Sequence, residues 1–205
     1  LPGWATNISP GPADEAAQTV SFAVTTNNNA LFAVRPAISA DGTLTYTPAA
    51  NANGTATVTV YAVDNGGVFN GGDNASDAQT FTIDVQAVND PPVNTVPNAQ
   101  TAGEEAALVF SLLTGNRISV ADLDAGVSPL QVTLTAPNGT LTLGSSTGVI
   151  VTGNGTGTLT VTGTAAALNI ALNGLTFHGN AGFTGGTTLT VATNDQGATG
   201  SGGPQ

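Results

Sequence analysis

The stretch LTYTPAANANGTATVTVYAVDNG, residues 44–66, alternates threonine with apolar residues and is interrupted by a turn rich in asparagine and glycine. A period of two places every second side chain on one face of an extended strand, so the stretch predicts two β-strands joined by a turn. β-Branched threonine suits the solvent-facing side of such strands. Similar runs at 79–88, 130–144 and 157–163 predict an all-β protein.

The same pattern returns 131 positions later as LTFHGNAGFTGGTTLTVATNDQG, residues 175–197. The two copies align without a gap, which indicates two copies of one structural module. We place the first module at 1–90 and the second at 91–205. The second module has a predicted strand, EEAALVFSLL, before ISVADLD, whereas the first has only LPGWATN before ISPGPADE, so we expect most of the first strand of the first module to be missing. The second has no counterpart of 79–88, so we expect its last strand to be missing.

The composition excludes several classes of function. The 205 residues include 13 acidic and two basic side chains, for a formal net charge of −11. This charge repels phosphate backbones, so nucleic-acid binding is not expected. No apolar run approaches the ~20 residues of a membrane-spanning helix, so membrane insertion is not expected. His178 is the single histidine and no Gly-x-Ser-x-Gly motif occurs, so the sequence does not predict an enzyme.

The few charged residues are almost all acidic and lie at particular places. Clustered carboxylates without neighbouring cations are unfavourable unless a metal ion neutralises them. One such place is AVNDPPV, residues 87–93, where Asn89 and Asp90 precede two prolines between the modules. A second is the Asp-Leu-Asp sequence at 122–124, where alternate side chains of an extended loop can face one ion while Leu123 turns inward.

Four segments together resemble the cadherin-like and immunoglobulin-like tandem repeats of very large bacterial surface adhesins. They are ISPGPADEAAQTVSFAV (8–24), GTLTYTPAANANGTATVTV (42–60), AVNDPPVNTVPNAQT (87–101) and ISVADLDAG (118–126). The resemblance implies two tandem Ig/cadherin-like Greek-key β-sandwiches joined end to end, each of seven strands and about 100 residues. It also implies secretion, display at the cell surface and calcium binding.

The resemblance assigns calcium ligands residue by residue. Cadherin linkers place an Asn-Asp pair before a proline, and the next module supplies an Asp-x-Asp loop and a further Asp. The matching residues here are Asn89, Asp90, Asp122, Asp124 and Asp195. The equivalent set at the free end of the first module is Asp14, Glu15 and Asp64, and residues placed to serve a further joint are Glu104 and Glu105.

These inferences predict calcium-stabilised extender repeats of a large secreted or cell-surface bacterial adhesin. The expected partners are neighbouring repeats of the same protein, in cis or head to tail, with cell-surface glycans or proteins as further candidates. Two alternatives stay open. One is a structural subunit of an extracellular filament or sheath held by strand complementation. The other is a carbohydrate-binding module of a secreted enzyme. Residues 164–175, TAAALNIALNGL, predict either a brief helical turn or an irregular strand.

Overall fold

The computed structural model describes residues 1–68, 73–197 and 200–205. The chain divides into two compact units, Leu1–Ala87 and Val88–Gln205. The division falls before Asn89 and Asp90, so these residues belong to the second unit, whereas the sequence placed them at the end of the first module. The strands form open antiparallel sheets, in agreement with the all-β prediction.

The described residues of the first unit form five strands. They are β1 (Val20–Thr26), β2 (Phe32–Ile38), β3 (Leu44–Pro48), β4 (Gly54–Asp64) and β5 (Gln79–Val85). One sheet has the order β1-β4-β5, and β2 pairs with β3. Short 3-10 turns lie at Ala13–Glu15 and Asn29–Leu31. The buried core of this unit consists of Leu31, Phe32, Ile38, Leu44, Ala56, Val58, Val60 and Ile83.

β4 is longer than its neighbours because two different strands hold its two ends. β1 pairs with the part of β4 from Val58 to Asp64. β5 pairs with the part from Gly54 to Val60. The first four residues of β4 therefore have β5 as their only strand partner. β5 also supplies apolar side chains, since Ile83 is 6% exposed and Phe81 packs against the core.

In the second unit, residues 88–197 and 200–205 include nine strands and one α-helix. The strands are β6 (Val93–Thr95), β7 (Leu108–Phe110), β8 (Ser119–Ala121), β9 (Leu130–Thr135), β10 (Gly139–Thr142), β11 (Ile150–Thr152), β12 (Thr158–Gly163), β13 (Leu175–Gly179) and β14 (Thr190–Asn194). They form the sheets β10-β13-β7 and β11-β12-β9-β14 and the pair β6-β8. Leucine and valine side chains from these sheets pack into one core, including Leu130, Leu141 and Leu159.

The helix α1 (Ala165–Leu172) resolves the ambiguity at 164–175 in favour of a helix. Thr164 caps it, because its hydroxyl accepts a hydrogen bond from the Ala167 N–H at 3.2 Å. Leu168 and Leu172 are fully buried in the core of the unit. None of the helices in the described residues has the length and apolar composition of a membrane-spanning segment.

Candidate metal centre

Strand pairing in the second unit brings three acidic segments to one end. β6 and β8 are antiparallel with Val93 opposite Ala121, so the residues before β6 lie beside those after β8. β14 runs close to β6, since the Thr193 hydroxyl donates a 2.6 Å hydrogen bond to Asn94 Oδ1. The segment after β14 therefore ends near the other two.

Asn89 and Asp195 form a buried pair within this region. Asn89 is 6% exposed and Asp195 is 1% exposed. The Asn89 side-chain amide donates to Asp195 Oδ2 and, at 3.1 Å, to the Gly203 carbonyl. Asp195 Oδ1 accepts hydrogen bonds from the backbone N–H of Gly197 at 3.0 Å and of Gln205 at 2.8 Å. This carboxylate therefore ties the segment after β14 to the residue that precedes Asp90.

These donors determine the charge state of Asp195. Burial by itself would raise its pKa, because a low dielectric disfavours the ionised form. The hydrogen bonds from Gln205, Asn89 and Gly197 outweigh burial and hold the pKa of Asp195 below its ordinary value. Asp195 is therefore a buried anion stabilised by N–H groups, and its oxygens already have partners.

Asp122 and Asp124 lie in a tight loop after β8. Asp122 Oδ1 accepts hydrogen bonds from the backbone N–H of Asp124 at 3.1 Å and of Ala125 at 2.8 Å. The backbone N–H of Asp90 donates to Asp124 Oδ2 at 3.2 Å, so this loop contacts the segment before β6. The expectation that Leu123 turns inward is wrong, because Leu123 is 65% exposed and Ala125 is buried instead. The turn closed by Asp122 redirects the chain and places the Ala125 side chain in the core.

The second carboxylate oxygen of Asp122 has surroundings different from those of the first. Asp122 Oδ2 is buried and has no hydrogen-bond partner within the described residues. Burial raises the pKa of Asp122, and the neighbouring Asp124 carboxylate raises it further, although the Ala125 N–H opposes the change. No arginine is among the groups that shift the pKa of Asp122 or Asp195. Within the described residues, the negative charge of Asp122 is therefore not offset by a basic side chain.

The residue types present fit a calcium ion, although the five predicted ligands do not form one ready-made cage. Across residues 1–68, 73–197 and 200–205, no group of three or more acidic or histidine side chains is arranged to hold a metal ion. The predicted set is instead split into the Asn89–Asp195 pair and the Asp122–Asp124 loop with Asp90 beside it. Calcium accepts six to eight oxygens from carboxylates, amides, carbonyls and water. The buried Asp122 Oδ2 is an oxygen of that kind.

The other predicted ligands lie elsewhere and are not joined in a second cluster. Asp14 and Glu15 are in the 3-10 turn Ala13–Glu15. Asp64 ends β4, and its carboxylate accepts a 2.6 Å hydrogen bond from the Gly66 N–H. In the described part of the chain, no hydrogen bond links the side chains of Asp14 or Glu15 to Asp64. Glu104 and Glu105 lie in the loop before β7, on the wall of a groove.

Sequence reasoning missed the residue that positions β8. Asn169 on α1 accepts a 2.9 Å hydrogen bond from the Val120 N–H and donates a 2.8 Å bond to the Val120 carbonyl. It therefore pairs with β8 as a neighbouring strand would and fixes the strand that Asp122 directly follows. An asparagine with both amide groups turned toward a strand has no sequence pattern that would distinguish it from a surface asparagine.

Comparison of the chain with protein-family models, with curated proteins and with solved structures gave no match. Function is therefore inferred from the geometry of the site and from the resemblance of the sequence segments described above.

Proposed function

We propose that this chain consists of calcium-stabilised extender repeats of a large secreted or cell-surface bacterial adhesin, built as two tandem Ig/cadherin-like Greek-key β-sandwiches. The open antiparallel sheets and the offset duplication support this architecture. The chain acts without catalysis in this proposal, and its partners are further repeats of the same protein. An extracellular location fits a calcium site, because extracellular modules bind calcium with dissociation constants of about 10⁻⁴–10⁻³ M.

The observation that carries the proposal is the buried, unpartnered Oδ2 of Asp122 beside the Asp124 carboxylate. An ionised carboxylate in such a position is unfavourable unless a cation or hydrogen bonds compensate its charge. A calcium ion bound by Asp122 and Asp124 would supply that compensation. Asp90 would contribute from the adjoining segment, and backbone carbonyls and water would complete the shell.

The donor chemistry favours calcium over softer metals. The chain has no cysteine, and its single histidine, His178, lies exposed on β13. Zinc and copper prefer nitrogen and sulfur ligands, whereas carboxylates and carbonyls suit calcium and magnesium. Magnesium requires a nearly ideal octahedral shell and keeps several of its waters. Loop carboxylates with irregular spacing therefore fit calcium better.

Calcium at this site would order the segment that connects the two units in sequence. Asp90 and Asp124 are already joined by a hydrogen bond, and Asn89 is tied to Asp195. Neutralising the carboxylates would remove the repulsion that opposes closer approach of these segments. The connection after residue 87 would then lose conformational freedom, which suits a repeat whose task is to keep an array extended.

The test is a calcium titration of the full chain after removal of metal with a chelator. We expect heat of binding at micromolar to millimolar calcium, a higher melting temperature, and slower hydrogen exchange at residues 88–92 and 122–126. Magnesium at the same concentration is the control and should give a much smaller effect. If calcium at roughly ten times the weakest dissociation constant expected of extracellular modules changes neither melting temperature nor hydrogen exchange, the ligand assignment is wrong.

A filament or sheath subunit is the second candidate function, and one observation favours it. Among the described residues, β14 pairs with β9 and with no other strand, so one of its edges is open in its sheet. Open strand edges pair readily with strands from other chains.

A further inference from the structure

β14 and β4 are counterparts in the sequence duplication, but their surroundings differ. At an offset of 131 residues, Val60 of β4 corresponds to Val191 of β14. β4 lies between two strands, with Val60 paired to Val24 of β1 and to Gln79 of β5. β14 has β9 in the place of β1, with Val191 paired to Leu134. No strand in the described part of the second unit takes the place of β5.

The difference in length between the two strands follows from this missing neighbour. Residues 54–57 belong to β4 and pair only with β5. Their counterparts 131 positions later, residues 185–188, are not in a strand. Strand geometry in an edge segment depends on inter-strand hydrogen bonds, because an isolated extended segment has none of its own. A strand added beside β14 would therefore extend it toward residue 185.

A groove runs beside the same edge. It has a volume of about 630 Å³, and its lining includes Leu189 and Val191 together with Phe110, Ile118 and Phe177 from the core region. In the first unit, the counterparts of Leu189 and Val191 are Val58 and Val60, which are 0% and 6% exposed. β5 and its inward side chains help to cover them there. The groove thus lies where side chains from a strand equivalent to β5 would pack.

We infer that this edge and groove bind an extended peptide segment of a partner polypeptide, antiparallel to β14. Like β5, this segment would alternate apolar and polar residues. The pairing of β4 with β5 supplies the register. Val58 lies opposite Phe81 and Ala56 opposite Ile83, so the partner should place large apolar residues opposite positions 189 and 187. Apolar residues at alternate positions would enter the groove, and polar residues between them would face solvent.

The first unit also indicates which backbone N–H groups of residues 187–189 should face the added strand. The backbone N–H of Thr57 donates to Asn27 Oδ1 at 2.8 Å, and the Thr57 carbonyl accepts from the Asn27 N–H at 3.1 Å. Both backbone groups of Thr57 therefore face away from β5. Because backbone groups alternate in direction along a strand, Ala56 and Val58 face β5. Their counterparts Thr187 and Leu189 should therefore donate to the added strand, whereas Thr188 should not.

Charge argues for a partner other than a second copy of this chain. Glu104 and Glu105 line the groove, and no basic residue is among its described lining residues. A second copy would bring another formal charge of −11 to an acidic surface. The partner segment is therefore neutral or basic as well as apolar at alternate positions. This inference does not depend on the calcium proposal, and a failure to bind calcium would leave it standing.

The test uses the full chain and a labelled synthetic peptide of residues 78–87, AQTFTIDVQA, carrying Asp84→Lys to complement the acidic groove. Fluorescence anisotropy measures binding, and hydrogen exchange locates it. We expect saturable binding with protection of residues 185–191. A peptide that also carries Phe81→Ser and Ile83→Ser is the control and should bind at least tenfold more weakly.

Two neighbouring proline variants determine whether binding uses the edge of β14. Thr187 and Thr188 are both exposed and outside regular strands. Thr187→Pro removes a donor that should face the peptide and should weaken binding at least tenfold. Thr188→Pro removes a donor that faces away and should bind within about threefold of the parent. Equal effects of the two prolines, absence of peptide binding at millimolar concentration, or burial of β14 by dimerisation of the chain would each overturn the inference.

Discussion

Replacing Asp122 by asparagine should remove the response of the protein to calcium without unfolding the second unit. The side-chain oxygen of the introduced asparagine can still accept the hydrogen bonds that Asp122 Oδ1 now receives from the N–H groups of Asp124 and Ala125. The new amide nitrogen replaces the buried, unpartnered Oδ2 and can donate to the Asp124 carboxylate. The variant therefore keeps the turn and loses one negative charge where calcium is proposed to bind.

The expected magnitudes differ with and without calcium. Without calcium the variant should be as stable as the parent or more stable, by up to about 1 kcal/mol, because a partly buried like-charge contact is relieved. With calcium at about 100 times its dissociation constant, the parent should gain about 2.7 kcal/mol by mass action. For a unit of roughly 120 residues this corresponds to a rise in melting temperature of about 10 °C. The variant should show little of this rise.

The assay is differential scanning calorimetry of both proteins in chelator and in a calcium series. Asp77→Asn is the matched control, since Asp77 is an exposed aspartate in the first unit and its loss should leave the calcium response unchanged. A variant whose melting temperature rises with calcium as much as that of the parent would remove Asp122 from the site. A variant that is less stable than the parent in chelator by more than about 1 kcal/mol would show that the Asp122 charge supports the fold itself.

Three further predictions concern the residues that support the site. Asp195→Ala should destabilise the second unit by about 2–4 kcal/mol with or without calcium, because the Gly197 and Gln205 N–H groups and the Asn89 amide lose their acceptor; urea unfolding checks this. The same carboxylate has a lowered pKa in the folded state, so it should contribute its full stabilisation above its ordinary pKa of 3.8. This stabilisation should be lost as the pH falls below that value, which acid titration followed by circular dichroism measures. Asn169→Ala should cost about 1–3 kcal/mol and speed hydrogen exchange at Val120, whose N–H and carbonyl it binds; an unchanged exchange rate would contradict this role.

Local features of the sequence were sufficient to predict the all-β class and the strands of the duplicated stretch. The alternation of threonine and apolar residues at 44–66 corresponds to β3 and β4, and its offset copy at 175–197 contains β13 and β14. Alternation with a period of two is typical of an extended strand with one buried face. The pattern therefore predicts a strand without information about the neighbouring strand. The sequence also identified the three acidic segments that meet at one end of the second unit.

Tertiary contacts determine which of these segments form strands over their whole length and how the acidic side chains are arranged. Residues 54–57 and 185–188 have similar sequences, but the first are in a strand because β5 pairs with them and the second are not. The eight residues of α1 are helical because Leu168 and Leu172 are buried and Asn169 binds β8. Asn89 and Asp195 are 106 positions apart, and their pairing depends on the contact between Thr193 of β14 and Asn94 of β6. Hydrogen-bond partners and burial come from distant parts of the chain, so the local pattern of residues cannot specify them.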